Sequence, residues 1–265
     1  MPFNAISYLA PNWMEYYQAV VLFLGRVLQC ETQFVSSNLD PLNDLRLQED
    51  NVDLAFICGL PFIRQCRTAP KQLRAIAAAV MQAERYQNRP IYFSDVIVQA
   101  ESQFQTFSDL AGSTVCYNDP GSNSGYYLLR YRLLQEQCST RFFKTAVQSG
   151  SHQRSIRWVI EGKATCAAID STVLEQEFRV FPELSHQVRT IESSDPCPMP
   201  PIVVSAHLDD DLIRKIQAAL LQPDKELKAA MAKMNVKRYA SVNNEDYEAI
   251  AKIYDAVTNS RFSQL

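Results

Sequence analysis

The chain of 265 residues carries 26 lysines and arginines against 29 acidic residues, and 47% of it is hydrophobic. That length holds one large or two modest domains with real apolar cores. The slightly negative balance excludes a general nucleic-acid or anionic-membrane binder, which would show a basic face. The longest apolar runs are far short of a bilayer span, so no membrane insertion is expected.

In chain order, Ala5 to Leu9 reads as a buried strand that leads past Tyr8 to Asn12. Met14 to Leu28 is predicted as an amphipathic helix, with Tyr17, Val20, Val21, Leu24, Val27 and Leu28 at helical spacing. Thr32 to Val35 reads as a short strand and Pro41 to Glu49 as a helix. Val52 to Cys58 is a fully buried strand with Gly59-Leu60-Pro61-Phe62 at its carboxyl end, where open α/β sheets bind ligands. Leu73 to Val80 has helical spacing at Leu73, Ile76, Ala77 and Val80, and Ile91 to Val98 is a strand.

Further on, Thr114 to Tyr117 reads as a strand, Tyr127 to Gln137 as a helix, Phe142 to Val147 as an apolar run feeding a turn, and Ile156, Val159 and Ile160 as one helix face. Thr165 to Ile169 is a strand, Val173 to Phe178 lies in a helix, and Val188 to Ile191 is a strand. Ser193 to Pro201 holds four prolines in nine residues, which forbids helix or central strand. Ile202 to Ser205 returns to a sheet. Three helices, Asp209 to Leu221, Asp224 to Met234 and Asn244 to Val257, close the chain.

Two strand-to-helix turns carry the chemistry. The first is Asp119-Pro120-Gly121-Ser122-Asn123-Ser124-Gly125-Tyr126 and the second Gln148-Ser149-Gly150-Ser151-His152-Gln153. The first amides of a helix lack backbone partners and carry the positive end of its dipole, so small donors at such turns suit an oxyanion. Ser and Asn also serve as plain N-caps with no ligand. Only seven glycines occur, and Gly121, Gly125 and Gly150 sit at these turns. His152 can donate from either ring nitrogen, according to its tautomer. His186 and His207 are isolated and read as surface residues, and Asp209-Asp210-Asp211 complements a helix dipole. No metal cluster, P-loop, dinucleotide fingerprint or Ser-His-Asp order is present, so no cofactor is expected.

The sequence Ser108-Asp109-Leu110-Ala111-Gly112, the Asp119 to Tyr126 octapeptide, Gly150-Ser151-His152, Val159-Ile160-Glu161-Gly162 and Ala167-Ala168-Ile169-Asp170 follow the order and spacing of one family. They resemble the PhnD-like substrate-binding proteins of phosphate, phosphite and phosphonate ABC transporters. The resemblance implies an α/β, type 2 periplasmic-binding-protein fold: two lobes joined by two crossing strands, with ligand in the interlobe cleft. It makes Leu73 to Val80 a strand. It places lobe 1 at residues 1–100 and 195–265 and lobe 2 at 101–194, with crossings near Glu101 to Thr106 and at the proline-rich run.

The implied ligand is a small phosphate-like oxyanion, and the implied partner an ABC permease. The implied contacts are Ser122, Asn123, Ser124 and Gly125, then Ser151 and His152, with Tyr92 projecting from the first lobe, Asp170 at a strand mouth, and Tyr8. Asp170 equally reads as the cap of the next helix. Family binders have Thr where this chain has Asn123. The amine-contacting carboxylates of aminophosphonate binders align with Thr172 and Pro200, neither of them acidic.

Seven scattered cysteines without C-x-x-C spacing point to a reducing compartment. The start Met1-Pro2-Phe3-Asn4-Ala5 has no signal-peptide pattern. The expected location is therefore cytoplasmic, or periplasmic if a signal has been removed. Those two features keep a second function open: a cytoplasmic enzyme on the same fold, of the pyrimidine-precursor or menaquinone-pathway type, with His152 as acid/base and Asp170 beside it.

Overall fold

The computed structural model describes residues 2–69, 72–138, 141–260 and 265. They form two compact units, residues 1–91 with 198–249 and residues 92–197 with 250–265.

Unit 1 begins with β1 (Phe3–Ser7), whose residues are nearly all buried because strands pair on both of its sides. It is followed by α1 (Met14–Leu28), whose predicted bounds match, and by β2 (Thr32–Ser36). Gln29, at φ 56°, ends α1 in the left-handed region. Gly25 lets the helix settle on β2, since a Cβ there would lie 2.6 Å from Thr32 Cγ2. The helix expected over Pro41 to Glu49 is broken into a 3-10 turn, Pro41–Asn43, and α2 (Leu45–Gln48). The break falls at Asp44, which keeps extended backbone and accepts the Arg46 amide as a new N-cap. β3 (Leu54–Phe56) is shorter than expected. After it comes α3 (Gly59–Thr68), a helix the sequence does not announce; Pro61 stands in its first turn, where a missing N–H costs nothing.

β4 (Leu73–Met81) is a strand despite its helical spacing. It is paired on both sides and so buried on both faces, where periodicity carries no information. The strand expected over Ile91 to Val98 is two pieces, β5 (Ile91–Tyr92) and β6 (Ser94–Gln99), and the chain passes to unit 2 at Tyr92, ahead of Glu101 to Thr106.

Unit 2 continues with β7 (Thr114–Tyr117), a π-helical turn at Asn123–Tyr127, α4 (Leu128–Gln135), β8 (Thr145–Gln148) and α5 (His152–Ile160). Next come β9 (Cys166–Asp170), α6 (Ser171–Val180) and β10 (Val188–Ser193). The proline-rich return includes β11 (Cys197–Pro198), which pairs with β5. Unit 1 is completed by β12 (Pro201–Ser205), α7 (Asp210–Leu221), α8 (Lys225–Lys233) and β13 (Val236–Ser241), a strand the sequence reading did not anticipate. α9 (Glu248–Thr258) begins in unit 1 and runs on into unit 2.

The unit 1 sheet has the order β13-β4-β12-β3-β1-β2, parallel among β3, β1 and β2 and antiparallel beyond β3. The Tyr17 and Phe56 rings stack at 4.3 Å, and Tyr16 donates to Tyr239 at 2.6 Å in the same core. The unit 2 sheet has the order β10-β6-β9-β7-β8, parallel among β9, β7 and β8. Its two faces carry separate apolar clusters: Phe107, Leu129 and Leu133 with Cys166 on one side, Ile156, Val159 and Leu174 with Cys116 on the other. The parallel half matters most here, because the carboxyl ends of β7, β8 and β9 all lead straight into helices.

Candidate anion-binding site

β7 and β8 pair in register from Thr114 with Thr145 to Tyr117 with Gln148, so the turns that follow them emerge side by side. In the first turn Asp119 accepts the Gly121 amide at 2.8 Å and Ser122 caps the π turn by accepting the Gly125 amide at 3.0 Å. The amides of Asn123 and Ser124 are left with no acceptor among the described residues. A single π turn in place of a regular first turn is a feature common at functional sites. Here it buries Asn123, Ser124 and Gly125.

In the second turn Gly150 takes φ +95°, a conformation costly to other residues, and donates its amide to Asn118. Ser151 then caps α5 by accepting the Arg154 amide at 3.1 Å. Ser149 donates to the Tyr117 carbonyl and lies 2.6 Å from the Ser155 hydroxyl, which fixes the loop on β7. The two turns meet at Ser124 Oγ and His152 Nε2, 3.2 Å apart. Burial alone drives His152 down to about 4, so it is neutral at pH 7 with one donor and one acceptor nitrogen. Its Nδ1 is buried without a partner.

Of the other expected residues, Tyr92 belongs to unit 2 and not to the first lobe. Its hydroxyl accepts from Asn123 Nδ2 at 2.7 Å, and the ring is 1% exposed. The displacement follows from the chain passing between units before, not after, the β6 strand. Asp170 caps α6, its Oδ1 accepting the Thr172 amide at 2.8 Å and the Thr172 hydroxyl at 2.7 Å. Burial raises it to about 6 against those hydrogen bonds, with Asp95 adding a smaller push. Tyr8 lies in unit 1 just after β1, and burial, followed by the charge of Asp44 and a hydrogen bond to it, raises its hydroxyl.

Two residues escaped the sequence reading. Ser94 donates to the Ser124 carbonyl at 2.7 Å and anchors the π turn from β6. Asn118 donates to Asp119 while its Oδ1 presses on Gly125, where a Cβ would lie only 1.9 Å away. The available signal was Asn118 standing directly before the glycine-bearing octapeptide. Among the described residues no group of three or more His, Cys, Asp or Glu side chains could hold a metal ion, and no helix is long and apolar enough to cross a membrane.

Two α/β units, each with helices springing from the carboxyl ends of its parallel strands, define the periplasmic-binding-protein fold, here with two serine-bearing strand-to-helix turns side by side in the second unit. The profile of one family, described as the periplasmic substrate-binding protein of the phosphonate ABC transporter, matches residues 6–247, and the chain belongs to that family. Solved structures share the fold at low identity. A binding-protein component of a phosphonate ABC transporter from Pseudomonas aeruginosa aligns over 97% of this chain and 87% of its own, at 17% identity and a TM-score of 0.83. PhnD1 from Prochlorococcus marinus, in complex with methylphosphonate, aligns over 97% and 98%, at 17% identity and 0.84. The aliphatic sulphonate binding protein SsuA from Escherichia coli aligns over 97% and 85%, at 14% identity and 0.62. The protein is thus a binder of small oxyanions, and the comparisons lend no support to the enzyme.

Proposed function

We propose that the two turns of unit 2 form the ligand site for phosphate, phosphite or a phosphonate. One observation carries it: the Ser124–His152 contact at 3.2 Å brings together the N-terminal turns of two helices, and helix N-termini favour bound anions. The Asn123 and Ser124 amides and the Ser124 and Ser151 hydroxyls supply donors, and His152 supplies one ring nitrogen. Gly125 permits the close approach, Ser122 and Asp170 hold the helix ends in place, and Tyr92 orients Asn123. An ABC permease is the partner that family membership supports. The family is described as periplasmic, whereas seven free cysteines favour a reducing compartment for this chain.

Calorimetry with phosphate, phosphite, methylphosphonate and sulfate tests the reading. At least one phosphorus oxyanion should bind, and Ser124→Ala and His152→Ala should each weaken it while leaving the fold intact. A hydrogen bond to a charged group is worth about 1.5–3 kcal/mol, or roughly 10- to 150-fold in affinity. Undiminished affinity in both variants would move the site elsewhere.

A further inference from the structure

Sheet edges offer unpaired backbone to other chains, and folded proteins usually blunt them with charge, proline, bulges or short strands. Three of the four edges of the two large sheets follow that rule. β13 carries Lys237 and Arg238 and a bulge against β4, β10 carries Arg189 and Glu192 and a bulge against β6, and β8 is four residues long. β2 is the exception. It runs in unbroken register with β1 from Thr32 to Ser36, and neither a charged residue nor a proline occurs between Glu31 and Asp40.

The Glu31 carbonyl accepts the Phe3 amide at 2.8 Å and the Ser37 amide donates to the Ser7 carbonyl at 2.9 Å, so the odd-numbered residues of β2 face β1. Thr32, Phe34 and Ser36 then turn their amides and carbonyls outward, where none has a partner among the described residues. Phe34 packs edge-on to Phe56 at 6.2 Å, which holds the strand against its own sheet. Apolar side chains gather at the same edge. Of the seven large hydrophobic side chains exposed among the described residues, four are Leu22 on α1, Val35 on β2, Leu39 just past it and Leu45 at the start of α2. Ser37 donates to Asp44 at 3.0 Å, which folds that start of α2 back to the end of β2. A groove lined by Leu22, Gly25, Cys30 and Thr32 lies where the edge begins.

We infer that β2 is an interaction edge whose partner is a second copy of this chain, joined antiparallel about a twofold axis at Phe34. Self-pairing is favoured over a foreign strand because each end of the edge supplies what the other end receives. An antiparallel pair sets the end of one strand against the start of the other. That carries the exposed Leu39 of each copy to the groove beside Leu22 of the other, the reciprocal exchange that a twofold interface requires. Thr32 falls opposite Ser36 and Phe34 opposite itself, so no like charges meet across the pair. About six interchain hydrogen bonds then close the ladder, and the two unit 1 sheets become one.

Sedimentation of the whole chain from submicromolar to high micromolar concentration tests this. A monomer–dimer equilibrium should appear, and the amides of Thr32, Phe34 and Ser36 should exchange hydrogen more slowly in the dimer. Ser36→Pro removes an outward amide that bonds nothing within the chain, and Leu39→Glu charges a side chain that stands 57% exposed. Each change acts twice by symmetry and should weaken the dimer by roughly tenfold or more. Leu221→Glu alters an exposed leucine on α7, which packs on β4 and β13, and should leave the dimer as it is. Should Ser36→Pro unfold, as its far-ultraviolet dichroism would show, Leu39→Glu decides alone. A monomer at every concentration, open-ended assembly in place of a dimer, unprotected β2 amides in the dimer, or a dimer indifferent to the edge variants overturns the inference.

Discussion

Gly125 shows how one missing methyl group shapes the site. A Cβ there would meet Asn118 Oδ1 at 1.9 Å and His152 Cε1 at 3.1 Å, and Asn118 is held in place by its hydrogen bond to Asp119. Gly125→Ala must therefore drive Asn118 off Asp119 and push on the His152 ring. Overpacking of this kind costs about 1–3 kcal/mol, and oxyanion affinity should fall at least tenfold. Denaturation and titration of the variant check this, and Gly125→Ala with Asn118→Ala should regain stability. A silent single variant would mean that the close approach is absent in solution. The octapeptide showed that these glycines are special, but not that Asn118 is the reason, because the clash partner lies seven residues away across the turn.

His152 and Asp170 make opposite demands on pH. Burial lowers His152 from 6.5 to about 4, so the stability it contributes is present above pH 6.5 and is lost as the pH falls toward 4. Burial raises Asp170 from 3.8 to about 6, so its contribution is full below 3.8 and is lost as the pH rises through 6. At about 1.4 kcal/mol per unit, each is worth on the order of 3 kcal/mol, and between pH 4 and 6 the two slopes oppose. Relative to the parent, His152→Gln should gain stability as the pH falls from 6.5 to 4, and Asp170→Asn should gain it as the pH rises from 4 to 6. Urea midpoints across that range decide it. Differences that do not vary with pH would show that neither group is held as described.

At the level of elements, legibility followed exposure contrast. α1 and the helix ends at Ser151 and Asp170 declare themselves by amphipathic spacing and capping residues. β13 does not, since Val236-Lys237-Arg238-Tyr239 at a sheet edge lacks an apolar run, and its bulge against β4 shifts the alternation. α3 was hidden by Gly59 and Pro61, poor helix formers in general although both suit a helix start. The cap of α5 offers a way to separate helix from ligand. Aspartate caps as well as serine, so Ser151→Asp should keep the melting temperature of the parent. A carboxylate at that position would repel an oxyanion, so affinity should nevertheless collapse. Stability lost along with affinity would show only a damaged helix. Affinity retained would remove Ser151 from the site.

At the scale of the whole molecule, the second passage between units was written in the prolines before Ile202, while the first was hidden inside a stretch that reads as one strand, Ile91 to Val98. Only the pairing of β6 with β9 and β10 reveals that Ser94 to Gln99 belongs to unit 2. The cysteines raise a question about the molecule's surroundings that geometry helps to frame. Cys116 pairs with Ala167 and Cys166 with Val115, a one-residue offset that sends the two thiols to opposite faces of one sheet. All seven cysteines are free. Burial pushes Cys66 and Cys116 up to about 11 and raises Cys138 and Cys166, which leaves little reactive thiolate once the chain is folded. Those four thiols would have to be oxidised earlier, on the open chain, and a reducing compartment is where such a chain escapes it. Acid quenching of its own cells and alkylation under denaturing conditions, followed by mass measurement, should find seven modified thiols. Paired or glutathione-capped cysteines in that sample would place the protein in an oxidising compartment and overturn the proposed reducing one.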